Sequence, residues 1–232
     1  MQLIDNRTRL AVSIMALLAS LLTGCLGAGF KMQNLAKSEV DFFADAHYEA
    51  TQELLRELTG KLYRRNPAEL AKSPGATLET RLEQLFGRPG ALVFDELAQV
   101  RTADAMQLAL DPQFQGDRVF ALMAGLNGMI RSAYEYRAEF YMPDALSEDK
   151  LYRSARNVEI LVWRLSRVDP GEATPLLLTN SRPGEQENLS FERLFGKLIS
   201  IQDMMAEVAS QRNDRLISRV VQNVASMVFL PL

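Results

Sequence analysis

Residues 117–141 carry the pattern that most narrows what this chain can fold into. Val119, Leu122, Met123, Leu126, Met129, Ile130, Ala133, Phe140 and Tyr141 recur at three- and four-residue spacing, which places them on one wide face of a helix. Nearly opposite lie Ala121, Gly125, Gly128 and Ser132, a strip of small residues. A glycine inside a helix costs about 1 kcal/mol relative to alanine. A second helix backbone lying close against the strip is the natural offset. A helix that is apolar on one side and smooth on the other calls for neighbours on both. The expected fold is an all-α, irregular multi-helix bundle of six to eight helices built around this one. Small-xxx-small spacing also occurs in membrane helices, but Arg118, Arg131, Glu135, Arg137 and Glu139 exclude a bilayer span here.

The flanking sequence supplies the other helices. Phe43, Ala46, His47, Ala50, Leu54 and Leu58 predict a long helix over about 34–64. Asn66-Pro67 and Ser73-Pro74-Gly75 read as a loop. A short helix follows from Leu78 to Phe86, stopped by Gly87-Arg-Pro-Gly90, and another run covers about 91–110 with a break near Thr102. Ser147 caps a helix with Glu148 and Asp149 in its first turn, where negative charge suits the dipole. Leu151, Ala155, Val158, Val162 and Leu165 form its stripe. Ser190 reads as the N-cap of a helix to about 211, and a last, Val-rich helix is expected over about 213–229. Residues 175–179 are the one weak strand candidate. Pro175–Leu178 and Met227–Leu232 are apolar segments that either dock on the protein's own core or form a surface for a partner or lipid.

The first 24 residues are of a different kind. Arg7 and Arg9 precede an uncharged run of thirteen residues, Leu10 to Leu22. As a helix that run spans about 20 Å, short of the roughly 30 Å hydrocarbon core. A positive start and a short apolar run make a signal peptide, not a permanent anchor. The run ends in Leu22-Thr23-Gly24-Cys25, and Cys25 is the one cysteine of the chain. An exported protein pairs its cysteines or avoids them, and this chain avoids them everywhere else.

Leu22-Thr23-Gly24-Cys25 resembles the lipobox of bacterial lipoprotein precursors: an aliphatic residue, two small residues and a cysteine. The resemblance covers about 26 residues and implies nothing about the fold beyond them. It implies that residues 1–24 are removed and that Cys25 carries a diacylglyceryl group on its thiol. Its new amino group is then acylated as well, with palmitate a typical chain. Leu26 stands where many Gram-negative lipoproteins have the Asp that retains them in the inner membrane. The resemblance thus implies the inner leaflet of the outer membrane, with the body facing the periplasm. Residues 25–30 are then the lipidated cysteine and a short spacer, and 31–232 one helical domain.

The body has a net charge near zero for its size, −3 for the whole chain, and no Lys/Arg run. Nucleic acid is not an expected partner. The single histidine, His47, has neither His-Glu-x-x-His nor Glu-x-x-His spacing around it and reads as a core or boundary residue, with no metal or cofactor expected. A charged and aromatic cluster spans Arg131–Glu139 and Arg153–Trp163. Within it Arg137 falls at the centre of the apolar face of its helix, where an unpaired guanidinium is very costly. It must snorkel or meet an acid such as Glu159 or Glu192. Arg137, Arg156, Glu159 and Glu192 are therefore the candidate polar cluster. They form either a salt-bridge network between helices or an anion-binding or catalytic pocket with Glu159 as base.

The expected function is a membrane-anchored envelope component that binds, scaffolds or assembles another envelope protein without catalysis of its own. The alternatives are an envelope enzyme using the Arg/Glu cluster and a carrier of a lipid or other hydrophobic ligand.

Overall fold

A computed structural model describes residues 37–141, 144–167, 175–179, 185, 188–212 and 229–232. The chain divides into two units, Met1–Ser38 and Glu39–Leu232. The second is the helical body. The described residues form seven α-helices and no strand: α1 (Glu39–Arg65), α2 (Pro67–Ala71), α3 (Leu78–Phe86), α4 (Thr102–Ala109), α5 (Arg118–Ala133), α6 (Glu148–Leu165) and α7 (Ser190–Arg212). The fold is the expected all-α bundle. No helix among the described residues is long and apolar enough to cross a membrane.

Helix α5 is the centre. Every residue of it except Ser132 is buried, and α1, α2, α3, α4 and α6 all pack on it. Its N-terminus is capped by Asp117, whose carboxylate accepts from the Phe120 N–H at 2.9 Å. Helix α1 runs antiparallel to it: Tyr63 meets Asp117, Gln52 meets Asn127, and the Tyr48 and Tyr134 rings lie 5.2 Å apart. Helix α4 lies along the small strip, and Gly125 is the point of closest approach. A Cβ there would stand 2.5 Å from the Met106 nitrogen and 2.7 Å from the Thr102 carbonyl oxygen. At Gly128 the corresponding contacts are ordinary, 3.7 Å and more. Helix α7 completes the body against α6 and α1. Gln202 of α7 bridges to both: its amide oxygen accepts from Ser154 at 3.1 Å, and its amide nitrogen donates to Thr51 at 3.4 Å.

Three predicted boundaries are corrected. The central helix stops at Ala133, not at 141, because Glu135 and Tyr136 adopt left-handed φ values of 53° and 58°. That turn lets Tyr134 and Phe140 both bury, with ring centroids 6.0 Å apart, while the Phe140 N–H donates to Asp45. The run over 91–110 is helical only as a 3₁₀ turn at Asp95–Leu97 and as α4. Ala98 and Gln99, left-handed at 51° and 59°, break it, and Thr102 starts α4 at 49°. The 66–72 loop contains the short helix α2, for which Pro67 is well suited at the first position.

Residues 175–179 are irregular, not a strand. Leu177 is buried, and the Asn66 amide grips the Leu178 backbone, accepting from its N–H at 2.8 Å and donating to its carbonyl at 2.9 Å. Phe229 is likewise buried against the body. Both apolar segments therefore dock on the protein's own core where they are described. The helix expected over 213–229 lies, up to residue 228, outside the described residues.

Candidate functional site

The four residues of the predicted cluster do not form one site. Arg137 lies beyond the end of α5 in an exposed turn, its side chain 47% accessible, and its ion pair is with Asp144. It does not sit on an apolar helix face, because the helix that would have put it there has already ended. Glu192 is an exposed residue in the first turn of α7. Arg156 and Glu159 do meet, 3.2 Å apart on one turn of α6, and Arg156 also reaches Asp203 of α7 at 2.7 Å. Burial raises the carboxyls of both Glu159 and Asp203, with Arg156 opposing the rise. The group is an ion triad fastening α6 to α7. Leu22, Thr23, Gly24 and Cys25 lie outside the described residues.

A more deeply built charged site lies on α3. Arg81 is 2% exposed. It donates to both oxygens of Glu96 at 2.7 and 2.9 Å, to Ser73 Oγ at 2.5 Å and to Gln84 at 2.9 Å. Its Nε lies 3.3 Å from Asp117, and its guanidinium stacks 3.9 Å above the Phe120 ring. Asp117 in turn accepts from the Tyr63 hydroxyl at 2.8 Å. Burial raises the Asp117 carboxyl despite hydrogen bonds from Phe120 and Tyr63 and the charge of Arg81. Burial, and then Asp117, push the Tyr63 hydroxyl up. Burial pulls Arg81 down, but Glu96, Tyr63 and Asp117 together outweigh it and hold the guanidinium charged. Above this group opens a depression of about 520 Å³, lined by Lys72, Ser73, Thr80, Gln84 and Glu96 among others.

The sequence held a sign of this site. Arg81 falls within the stripe of Leu78, Leu82 and Leu85, an interruption of the same kind as Arg137. Its partners Glu96 and Asp117 are far along the chain, so their convergence could not be read locally.

Two further buried arginines bind backbone instead of acids. Arg118 donates to the carbonyls of Ala109, Asp111, Pro112 and Phe114 at 2.6–3.1 Å, so that residues 109–114 wrap around it. Arg131 donates to the carbonyls of Leu85, Arg88 and Gly90 at 2.6–3.1 Å. Burial lowers its pKa, as expected for a cation stabilised by dipoles alone. The three arginines use their donors to fasten loops. His47 is a half-buried boundary residue whose Nδ1 donates to the Phe43 carbonyl at 2.8 Å. Among the described residues no group of three or more His, Cys, Asp and Glu side chains is arranged to hold a metal ion.

No family model matches the chain, and no curated protein or solved structure does.

Proposed function

We propose that this chain is the precursor of a bacterial lipoprotein, anchored through Cys25 to the outer membrane's inner leaflet, whose helical body serves in the periplasm as a binding or scaffold component. One observation carries the reading: Leu22-Thr23-Gly24-Cys25 closes a thirteen-residue apolar run that follows two arginines. Two or more acyl chains on one cysteine make a stable anchor, where a single chain binds only reversibly. Anchoring raises the body's effective concentration towards other proteins of the same surface.

The interior supports a scaffold more than a catalyst. Arg81, Arg118 and Arg131 are engaged with acids and carbonyls that position loops. The enzyme alternative leaned on Arg137 lining a polar pocket, and Arg137 instead stands in an exposed turn with Asp144.

Metabolic labelling with a clickable fatty acid tests the anchor. Wild-type chain is expected to take up label, and Cys25→Ser to lose it and accumulate as uncleaved or mislocalised precursor. Equal labelling of the two would overturn the reading. A pull-down from detergent-solubilised envelope is expected to recover a partner with wild type and to lose it with Cys25→Ala.

A further inference from the structure

The face of α6 that carries Arg153, Asn157 and Arg164 is covered by an extended segment, Phe229–Leu232. Asn157 is fully buried, and its side-chain amide is committed to that segment's backbone. Its Oδ1 accepts from the Leu230 N–H at 2.7 Å, and its Nδ2 donates to the Leu230 carbonyl at 2.9 Å. Arg153 donates to the Pro231 carbonyl at 3.2 Å, and Arg164 lies 5.3 Å from the Phe229 ring centroid. The order of these contacts runs the segment antiparallel to α6. Each position is read differently: residue 229 through its buried ring, residue 230 through its backbone alone, residue 231 through its carbonyl.

Asparagine is a poor helix former, and a buried amide without partners is costly. This face of α6 is thus built to be covered by an extended peptide backbone. The cover itself is slight. Phe229 is its one buried residue, Leu230 and Leu232 are half-buried and Pro231 is exposed. Segments with so few buried contacts open locally far more often than the body unfolds.

The geometry points to an exchangeable peptide-docking site on α6, occupied at rest by Phe229–Leu232 and open to a partner protein's extended segment that offers an aromatic residue followed by two residues held through their backbone. This deepens the scaffold reading by naming the chemistry of the partner. It rests on that reading only for its setting, and loss of fatty-acid labelling would leave it standing.

The test uses full-length chain in detergent and a fluorescein-labelled peptide, Met-Val-Phe-Leu-Pro-Leu, followed by anisotropy. The resident segment competes intramolecularly at an effective concentration on the order of millimolar, so wild type is expected to bind the peptide weakly. Phe229→Ser loosens the resident segment and is expected to bind at least about tenfold more tightly. Adding Asn157→Leu should abolish that gain. Because Asn157→Leu could itself disturb the core, a second peptide, N-methylated at its Leu-Pro leucine, makes the same test on unaltered Asn157 and is expected not to bind. Phe229→Ser binding no better than wild type, or binding the methylated and plain peptides equally, would overturn the proposal.

Discussion

A methyl group on Gly125 would meet two backbone atoms, the Met106 nitrogen at 2.5 Å and the Thr102 carbonyl oxygen at 2.7 Å, and neither can rotate away. Gly125→Ala is therefore expected to lower stability by about 2–3 kcal/mol, the upper range for overpacking. Gly128→Ala, with nothing nearer than 3.7 Å, should leave stability, read by urea unfolding, unchanged or raise it by up to about 1 kcal/mol through helix propensity. Equal effects of the two would mean that α4 does not seat on Gly125. The two conspicuous arginines divide in the same way. Arg137→Met removes an exposed ion pair and should cost less than about 1 kcal/mol. Arg81→Met strips buried Asp117 and the carboxylate of Glu96 of their cation and should cost about 3 kcal/mol or more. A thermal melt that ranked them in the opposite order would refute the assignment of Arg81 as the structural centre.

At the scale of the element, α3 is held at both ends by different chemistry. Its start is a capping box, with Thr77 accepting from the Thr80 N–H and Thr80 accepting from the Thr77 N–H. Its end is held by side chains of other helices. The Leu85 carbonyl accepts from Asn127 and Arg131, and the Phe86 carbonyl from Arg56. Cationic donors at a helix C-terminus also suit its dipole. Thr77→Ala is expected to cost about 1 kcal/mol. Arg131→Met abandons three carbonyls of the 85–90 turn and should cost at least about 3 kcal/mol, since even one hydrogen bond from a charged donor contributes about 1.5–3 kcal/mol. Hydrogen exchange locates the damage: amides around 86–92 should exchange faster in Arg131→Met and stay protected in Thr77→Ala.

For the molecule as a whole, three desolvated acids, of which only Asp117 is fully buried, push the response to pH one way, against Glu79, whose carboxyl is held low by hydrogen bonds from its own backbone and Thr77. Burial holds the carboxyls of Asp117, Glu159 and Asp203 above their ordinary values of 3.8, 4.5 and 3.8. A raised carboxyl means that the folded chain binds more protons than the unfolded one between the ordinary and the raised value. Stability from these groups consequently falls as pH rises through that window. Asp203→Asn removes one such group, so the variant should gain on wild type as pH rises from the ordinary value of 3.8 through the raised one. Urea midpoints of the pair across that range check the sign. A difference that is flat, or that moves the other way, would show that Arg156 outweighs burial at Asp203.

What the sequence determined by itself was local in range. Helix period identified α1, α3, α5, α6 and α7, since residues three and four apart share a face whatever surrounds them. Ser147 announced the start of α6, where its hydroxyl accepts from the Lys150 N–H. The small strip announced a close helix neighbour, which proved to be α4 at Gly125. The proposed lipobox, Leu22-Thr23-Gly24-Cys25, is contiguous and needs no fold to be read. Tertiary structure alone decided where helices stop without glycine or proline. Glu135 and Tyr136 turn left-handed because that buries Tyr134 and Phe140, a gain that local pattern cannot register. The end of α5 then decided the fate of Arg137, carrying it off the face that made it look buried. It also decided which arginine is central. Arg81 and Arg137 break their apolar stripes alike, but only Arg81 meets acids brought from residues 96 and 117. Periodicity tells which side of a helix a charge lies on. Which distant chain segment arrives there to neutralise it is set by the packing of the whole body.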